Sequence, residues 1–158
     1  MKVAILRHNG LFYGGTEKFL QIMAAETNNE VDYYTTDLMR SPDREQYLIE
    51  HGVNIVKFKM GSGRFPFKYL RSTWHDLWKK LKSSNYDVVQ ITNFGWDELP
   101  YNGFSKNDNL CEFTVFPPYV PFNGVKHHIL NSEWLRQKWI EAGGNEFIST
   151  AIPVPCIS

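Results

Sequence analysis

Cysteine is scarce in this chain. Cys111 and Cys156 are the only two, and neither sits in a CxxC pair or beside a histidine cluster, which excludes a disulfide framework and a zinc site of ordinary spacing. A reducing compartment fits such usage best. No charge of either sign is in excess, because seventeen basic residues cancel seventeen acidic ones. A general nucleic-acid binder and an acidic disordered tail are therefore not expected. Long hydrophobic runs are missing too: a stretch such as Val3 to Leu6 falls far below the ~20 residues of a membrane span. The N-terminus has no apolar segment leading to a small-residue cleavage site, so the expectation is a cytoplasmic chain that folds from Met1.

What is present is enough for one ordinary domain: 158 residues, of which 42% are hydrophobic. Aromatic residues are abundant, with 11 Phe, 8 Tyr and 5 Trp, which is more ring than one core of this size commonly uses. Some rings are expected to face a ligand or partner.

The pattern along the chain alternates between strand and helix. Val3 to Leu6 is a continuous apolar run, as in a strand buried on both faces of a parallel sheet. His8 to Gly15 is irregular, and Thr16 is suited to cap a helix carrying Phe19, Leu20, Met23 and Ala24 on one face. Val31 to Thr35 reads as a second strand, Ser41 and Pro42 as the start of a short helix that Gly52 ends, and Val53 to Phe58 as a third strand. From Phe67, the positions Leu70, Trp74, Leu77, Trp78 and Leu81 form the stripe of an amphipathic helix, broken at Ser83 to Asn85.

Tyr86 to Thr92 gives a fourth strand, and a long loop from Asn93 to Asn109 follows. Cys111 to Phe116 and His128 to Leu130 read as further strands, separated by a region of proline and glycine with no crossover helix. Ser132 is placed to cap a last helix with Trp134, Leu135, Trp139 and Ile140, which Gly143 and Gly144 end before a strand at Phe147 to Ile152. The order implies an α/β fold, a Rossmann-like and mostly parallel sheet with helices on both faces. The expected domain is 1–152, with 153–158, stiffened by Pro153 and Pro155, beginning a linker.

In such sheets ligands bind at the carboxyl ends of the strands, which points to the segment from His8 to Glu17. Gly14 and Gly15 let the backbone approach an anion closely, while the first helical N–H groups and the helix dipole stabilise its charge. Alternatively, the two glycines merely permit a tight turn. A dinucleotide site competes, because Asp37 stands about where a ribose-binding acid would, ~20 residues beyond the glycines. Gly10, Gly14 and Gly15 do not form GxGxxG, however, which argues against it.

Several stretches together resemble a known family: the Val3 to Leu6 strand, Gly14-Gly15-Thr16-Glu17-Lys18-Phe19, Asp87-Val88-Val89, Asn131-Ser132-Glu133-Trp134 and Ile152-Pro153-Val154-Pro155. In this order, spanning the whole chain, they look like the N-terminal domain of a retaining glycosyltransferase of family 4. Enzymes of that family pair two Rossmann-like domains in the GT-B arrangement and take sugars from nucleotide-sugar donors. The resemblance implies an acceptor-binding half, with Gly14, Gly15, Thr16 and Glu17 at the cleft near the donor phosphates. It also implies a partner, a C-terminal donor-binding domain or subunit, and a glycan or lipid acceptor; retention of anomeric configuration rests on the resemblance alone. Where related enzymes often carry a histidine near the reacting sugar, this sequence reads Thr114-Val115-Phe116-Pro117-Pro118, and Phe116 cannot transfer a proton.

Candidates for the missing polar function are His8, at the end of the first strand, and the neighbouring carboxylates Asp97 and Glu98 in the long loop, against the plainer readings of a simple loop histidine and ordinary solvated loop acids. The rings Tyr13, Phe94, Trp96, Tyr101, Phe116 and Tyr119 form the expected acceptor surface, covering the apolar face of a sugar; a small core beneath the loops explains the same rings equally well. Lys68, Arg71, Lys79, Lys80 and Lys82 accompany Trp74 and Trp78 on the helix from Phe67 to Lys82, a composition suited either to the inner face of a membrane or to packing on a sheet. Adjacent His127 and His128 would point to opposite faces of a strand and hold no common metal. No Asp-x-Asp motif is present to hold a divalent ion on a diphosphate, so no metal and no cofactor beyond the nucleotide-sugar substrate are expected. The competing reading is a non-catalytic module that binds a glycan or nucleotide, or one subunit of a split transferase.

Overall fold

The computed structural model describes residues 1–7, 10–11, 13–59, 71–93, 109–114 and 125–152. Two compact units divide the chain, residues 1–89 and 90–158. The first begins with β1 (Lys2–Arg7), β2 (Gly10–Leu11), α1 (Gly15–Glu26), β3 (Glu30–Thr35), β4 (Met39–Arg40), α2 (Pro42–Glu50), β5 (Asn54–Lys57) and α3 (Arg71–Ser83). Next comes β6 (Val88–Asn93), which runs from the first unit into the second. The second continues with β7 (Leu110–Thr114), β8 (His127–Leu130), α4 (Glu133–Glu141), a 3-10 turn at Glu146–Ile148 and β9 (Ser149–Ala151).

In the first unit the strand order is β5-β3-β1-β6. The pairs β1 with β3 and β3 with β5 are parallel and in register: Arg7 lies beside Thr35, and Thr35 beside Lys57. Parallel pairing follows from the helix that separates each strand from the next. Ala4, Ile5 and Leu6 are all buried, as a continuous apolar run requires. Alternation along β3 divides the core between two faces. Tyr33 lies among the charged groups of α1 and α2, whereas Tyr34 lies on the side of Leu77 and Lys80 of α3. Helices therefore cover both faces of this sheet. Along α3, Leu77, Trp78 and Leu81 are buried and Asp76, Lys79, Lys80 and Lys82 are exposed. The Trp78 ring thus belongs to the core and cannot anchor in lipid; the side chain of Trp74 lies outside the described set. Among the described residues no helix is long and apolar enough to cross a membrane.

In the second unit β7, β8 and β9 are parallel neighbours, with Thr114 beside Leu130 and Leu130 beside Ala151. Ser132 caps α4 as its sequence implies, its hydroxyl accepting the Leu135 N–H at 3.1 Å. Leu135 and Trp139, four residues apart, form the buried stripe with Leu130. Trp134 does not join it: one position earlier, its ring turns outward and is 63% exposed, with the Lys138 ammonium over it. Phe147 also departs from the expected strand. It sits in the 3-10 turn, 86% exposed, and the pairing with β8 begins at Ser149 and runs to Ala151, with the Ile152 N–H donating to the Leu130 carbonyl at 2.8 Å. The Asn145 side chain accepts the Phe147 N–H at 3.0 Å, which favours the turn over extended backbone at this point. The histidines diverge as expected: His128 is buried against the Trp139 ring, and His127 Nε2 is 2.7 Å from the Thr150 hydroxyl.

Candidate functional site

The carboxyl ends of β1 and β3 carry the candidate site, because the loops that leave them are tied together there. β2 and β4 form a two-residue parallel pair, and the Ser41 N–H donates to the Leu11 carbonyl at 2.7 Å. Gly10 makes the pairing possible. Its φ of +108° is unfavourable to other residues, and a Cβ there would stand 2.0 Å from the Met39 carbonyl oxygen.

Past this tie the chain enters α1 two residues earlier than the sequence suggests. The cap is Gly14, with φ −77° and ψ 159°, and not Thr16; its carbonyl accepts the Lys18 N–H at 2.8 Å. The reason lies below the helix. Glu17 is buried and both Nε and Nη2 of Arg7 donate to its Oε1, the Nε bond at 2.8 Å, so the first turn is drawn down onto the end of β1. Gly14 has no side chain with which to cap the helix. The first-turn N–H groups of a helix lack intrahelical partners, so the positive end of the α1 dipole is presented without a resident oxygen from its cap residue. Space is open as well among the described residues, where a Cβ on Gly15 would meet nothing within 4 Å.

Beneath this turn lies a polar cluster that the sequence does not announce. Arg44 donates from Nε to Gln21 Oε1 at 2.5 Å, and its guanidinium stacks over Tyr47 at 4.4 Å and Tyr13 at 5.6 Å. Tyr13 is 64% exposed and lies beside the glycine cap, held by this cation. The Tyr33 hydroxyl is buried with no hydrogen-bond partner among the described residues. Burial pushes its pKa well above the usual phenol range, against the opposing fields of Arg7 and Arg44, so it stays neutral. Two guanidinium groups and one carboxylate thus surround Tyr33, and the balance beneath the α1 N-terminus is cationic. A charged residue ending an apolar strand and a carboxylate ten positions later were the only sequence signals of this pairing.

Asp37 is engaged elsewhere. Its carboxylate binds Lys57 Nζ at 2.9 Å, as Glu45 does at 3.0 Å, and Arg40 also reaches Glu45. The acid that a dinucleotide ribose would need is therefore part of an ion network. Of the residues expected at the site, the structure brings together Tyr13, Gly14, Gly15, Thr16 and Glu17, all in one turn at the edge of the sheet. His8, Phe94, Trp96, Asp97, Glu98, Tyr101, Phe116 and Tyr119 lie outside the described residues, as does the 153–158 segment.

No protein-family model matches the chain, and no curated protein sequence matches it. Solved structures do. The structure of Anabaena Alr3699/HepE in complex with UDP and glucose superposes with a TM-score of 0.65 at 14% identity, over 99% of this chain and 45% of that one. The lipopolysaccharide outer core galactosyltransferase WaaB in its apo form superposes with a TM-score of 0.65 at 15% identity, over 99% of this chain and 46% of that one. The chain therefore spans less than half the length of the proteins it matches, and its fold is one half of a GT-B fold.

Proposed function

We propose that this chain is the acceptor-binding domain of a glycosyltransferase that moves a sugar from a nucleotide-sugar donor to a glycan or lipid acceptor. The observation that carries the reading is the end-to-end likeness to one half of two such proteins, one holding UDP and glucose and one named a galactosyltransferase. The local chemistry supports it. Glycosyl transfer leaves a nucleoside diphosphate carrying new negative charge, and a helix N-terminus with free N–H groups is suited to stabilise that charge without reorganisation. Gly14, Gly15 and Thr16 supply those groups in this reading, and the donor itself is held mainly by a C-terminal domain or subunit.

Glu17 has a different part from the one its position suggests. With its carboxylate bound to Arg7, it fixes the turn and leaves the donor contacts to the backbone. His8, Asp97 and Glu98 are assigned to orient or deprotonate the acceptor hydroxyl, and Tyr13, Phe94, Trp96, Tyr101, Phe116 and Tyr119 to cover its sugar rings.

Gly15→Val tests the assignment. The valine side chain enters open space, so the fold is retained, but it occupies the approach to the first-turn N–H groups. In the natural protein that contains this chain, use of the donor should fall ~100-fold or more, the scale of losing preorganised donors to a developing anion. Unchanged turnover with an unchanged melting temperature rejects the role.

A further inference from the structure

A second feature of the first unit lies on the α3 side of the sheet. It is a pocket of about 310 Å³ at the carboxyl end of β5, lined by Tyr34, Val56, Lys57, Phe58, Lys59, Asp76, Leu77 and Lys80. Its polar groups are unequal in what they offer. The Lys57 ammonium is spent on Asp37 and Glu45, so this residue lends the pocket mainly its stem. The Tyr34 hydroxyl is spent too. It lies 2.8 Å from the Tyr86 hydroxyl, whose own proton goes to Asp32 Oδ2 at 2.5 Å. Tyr34 must therefore donate to Tyr86, and it has no proton for a ligand.

The side-chain donors left among the described lining residues are the exposed ammonium groups of Lys59 and Lys80, the latter 5.6 Å from the centroid of the Tyr34 ring. Against them stands one exposed carboxylate, Asp76. Val56, Phe58, Leu77 and the face of Tyr34 supply apolar wall. Among the described lining residues, two available cations against one carboxylate favour a negatively charged ligand. A bare anion would gain nothing from the apolar wall and would be repelled by Asp76. A saccharide with an acidic substituent uses all three features: its anionic oxygens meet Lys59 and Lys80, a hydroxyl donates to Asp76, and its C–H face lies on the apolar wall.

We propose that this pocket binds an acidic sugar, one carrying a carboxylate or phosphate group. In calling that sugar the acceptor, or part of it, the inference rests on the glycosyltransferase reading; the binding itself does not. The test titrates the full chain with glucose, glucose 6-phosphate, glucuronic acid and inorganic phosphate, followed by NMR. One or both acidic sugars should bind saturably, with glucose and inorganic phosphate at least about ten-fold weaker, as expected for the loss of a charge-assisted hydrogen bond or of the ring contact. Which acidic sugar binds more tightly identifies the group. The double variant Lys59→Gln/Lys80→Gln should lose about ten-fold or more in affinity for the acidic sugars while keeping its melting temperature.

Equal affinity for glucose, phosphate binding as tight as that of the acidic sugars, an unaffected double variant, or no saturable binding would each overturn the proposal. A parallel transfer assay separates the two readings. Acidic-sugar binding without transfer leaves the pocket standing and removes the glycosyltransferase; transfer without such binding does the reverse.

Discussion

Single residues decide whether the glycine turn exists at all. Glu17 and Arg7 pair in a buried setting, where removing one partner leaves a charge without its counterion. Glu17→Gln should lower unfolding stability by about 3 kcal/mol, while Arg7→Leu/Glu17→Leu should recover much of that loss, because the buried charge and its counterion are removed together. Chemical denaturation of the three proteins checks both. The two glycines of the loop should separate cleanly. Gly10→Ala places a methyl against the Met39 carbonyl and should cost a few kcal/mol, about 3 by the scale of overpacking and backbone strain. Gly15→Val should change the melting temperature little. The sequence pointed to Gly14 and Gly15 as the anion-facing positions, yet it placed the cap at Thr16. Residue types at a helix start do not report a tertiary pull such as that of Arg7 on Glu17, ten residues apart.

Elements follow the sequence where hydrophobic pattern fixes them. β1 and β3 keep their expected places within a residue or two, α4 keeps its own, and α3 ends where expected, its expected start from Phe67 to Leu70 lying outside the described residues. Ser41 and Ser132 stand at the N-cap positions of α2 and α4, and of the two only Ser132 bonds the first turn with its side chain. What was not legible is short or depends on distant partners. The β2 and β4 pair is two residues in each strand, too brief for any period to show. Trp134 was indistinguishable in sequence from its buried neighbours because helical spacing leaves it at the border of the stripe. Within α4 the anchor is Trp139. Trp139→Ala should cost about 3 to 5 kcal/mol, and Gly144→Ala should cost about 1 to 3, since its Cβ would stand 2.2 Å from the indole. Thermal melts on the two variants check the order.

Lys57 joins β5 to α2 and to the loop before it, and it makes stability depend on pH. Hydrogen bonds from Lys57 hold Glu45 and Asp37 below the usual carboxylate range, and bonds to Asp37 and Glu45 hold Lys57 above its usual value. The contribution is whole at neutral pH. It fades as pH falls through the lowered carboxylate values, and again as pH rises through the raised Lys57 value. Lys57→Gln should lower the melting temperature slightly near neutrality, and the two melting curves should converge in acid, below the ordinary carboxylate pKa of ~4. A constant gap across that range would remove the network from the account.

At the scale of the whole molecule, an alternation of apolar strands and amphipathic helices was enough to give a Rossmann-like, mostly parallel sheet, because parallel pairing and crossover handedness leave few other arrangements, whereas its being half of a GT-B fold was legible only through the resemblance. The chemistry was less legible. Of the site, the backbone turn at Gly14 to Glu17 could be read, whereas the cationic cluster of Arg7, Gln21, Tyr33 and Arg44 and the pocket beside α3 depend on residues that meet only after folding. The central claim is sugar transfer, and mass spectrometry of the acceptor tests it most directly. The natural protein that contains this chain, incubated with a panel of nucleotide sugars and a panel of neutral and acidic glycans, should increase the mass of at least one glycan by one glycosyl unit and release the nucleoside diphosphate. No mass increase with any donor, from protein that is folded and binds nucleotide sugars, would contradict the account.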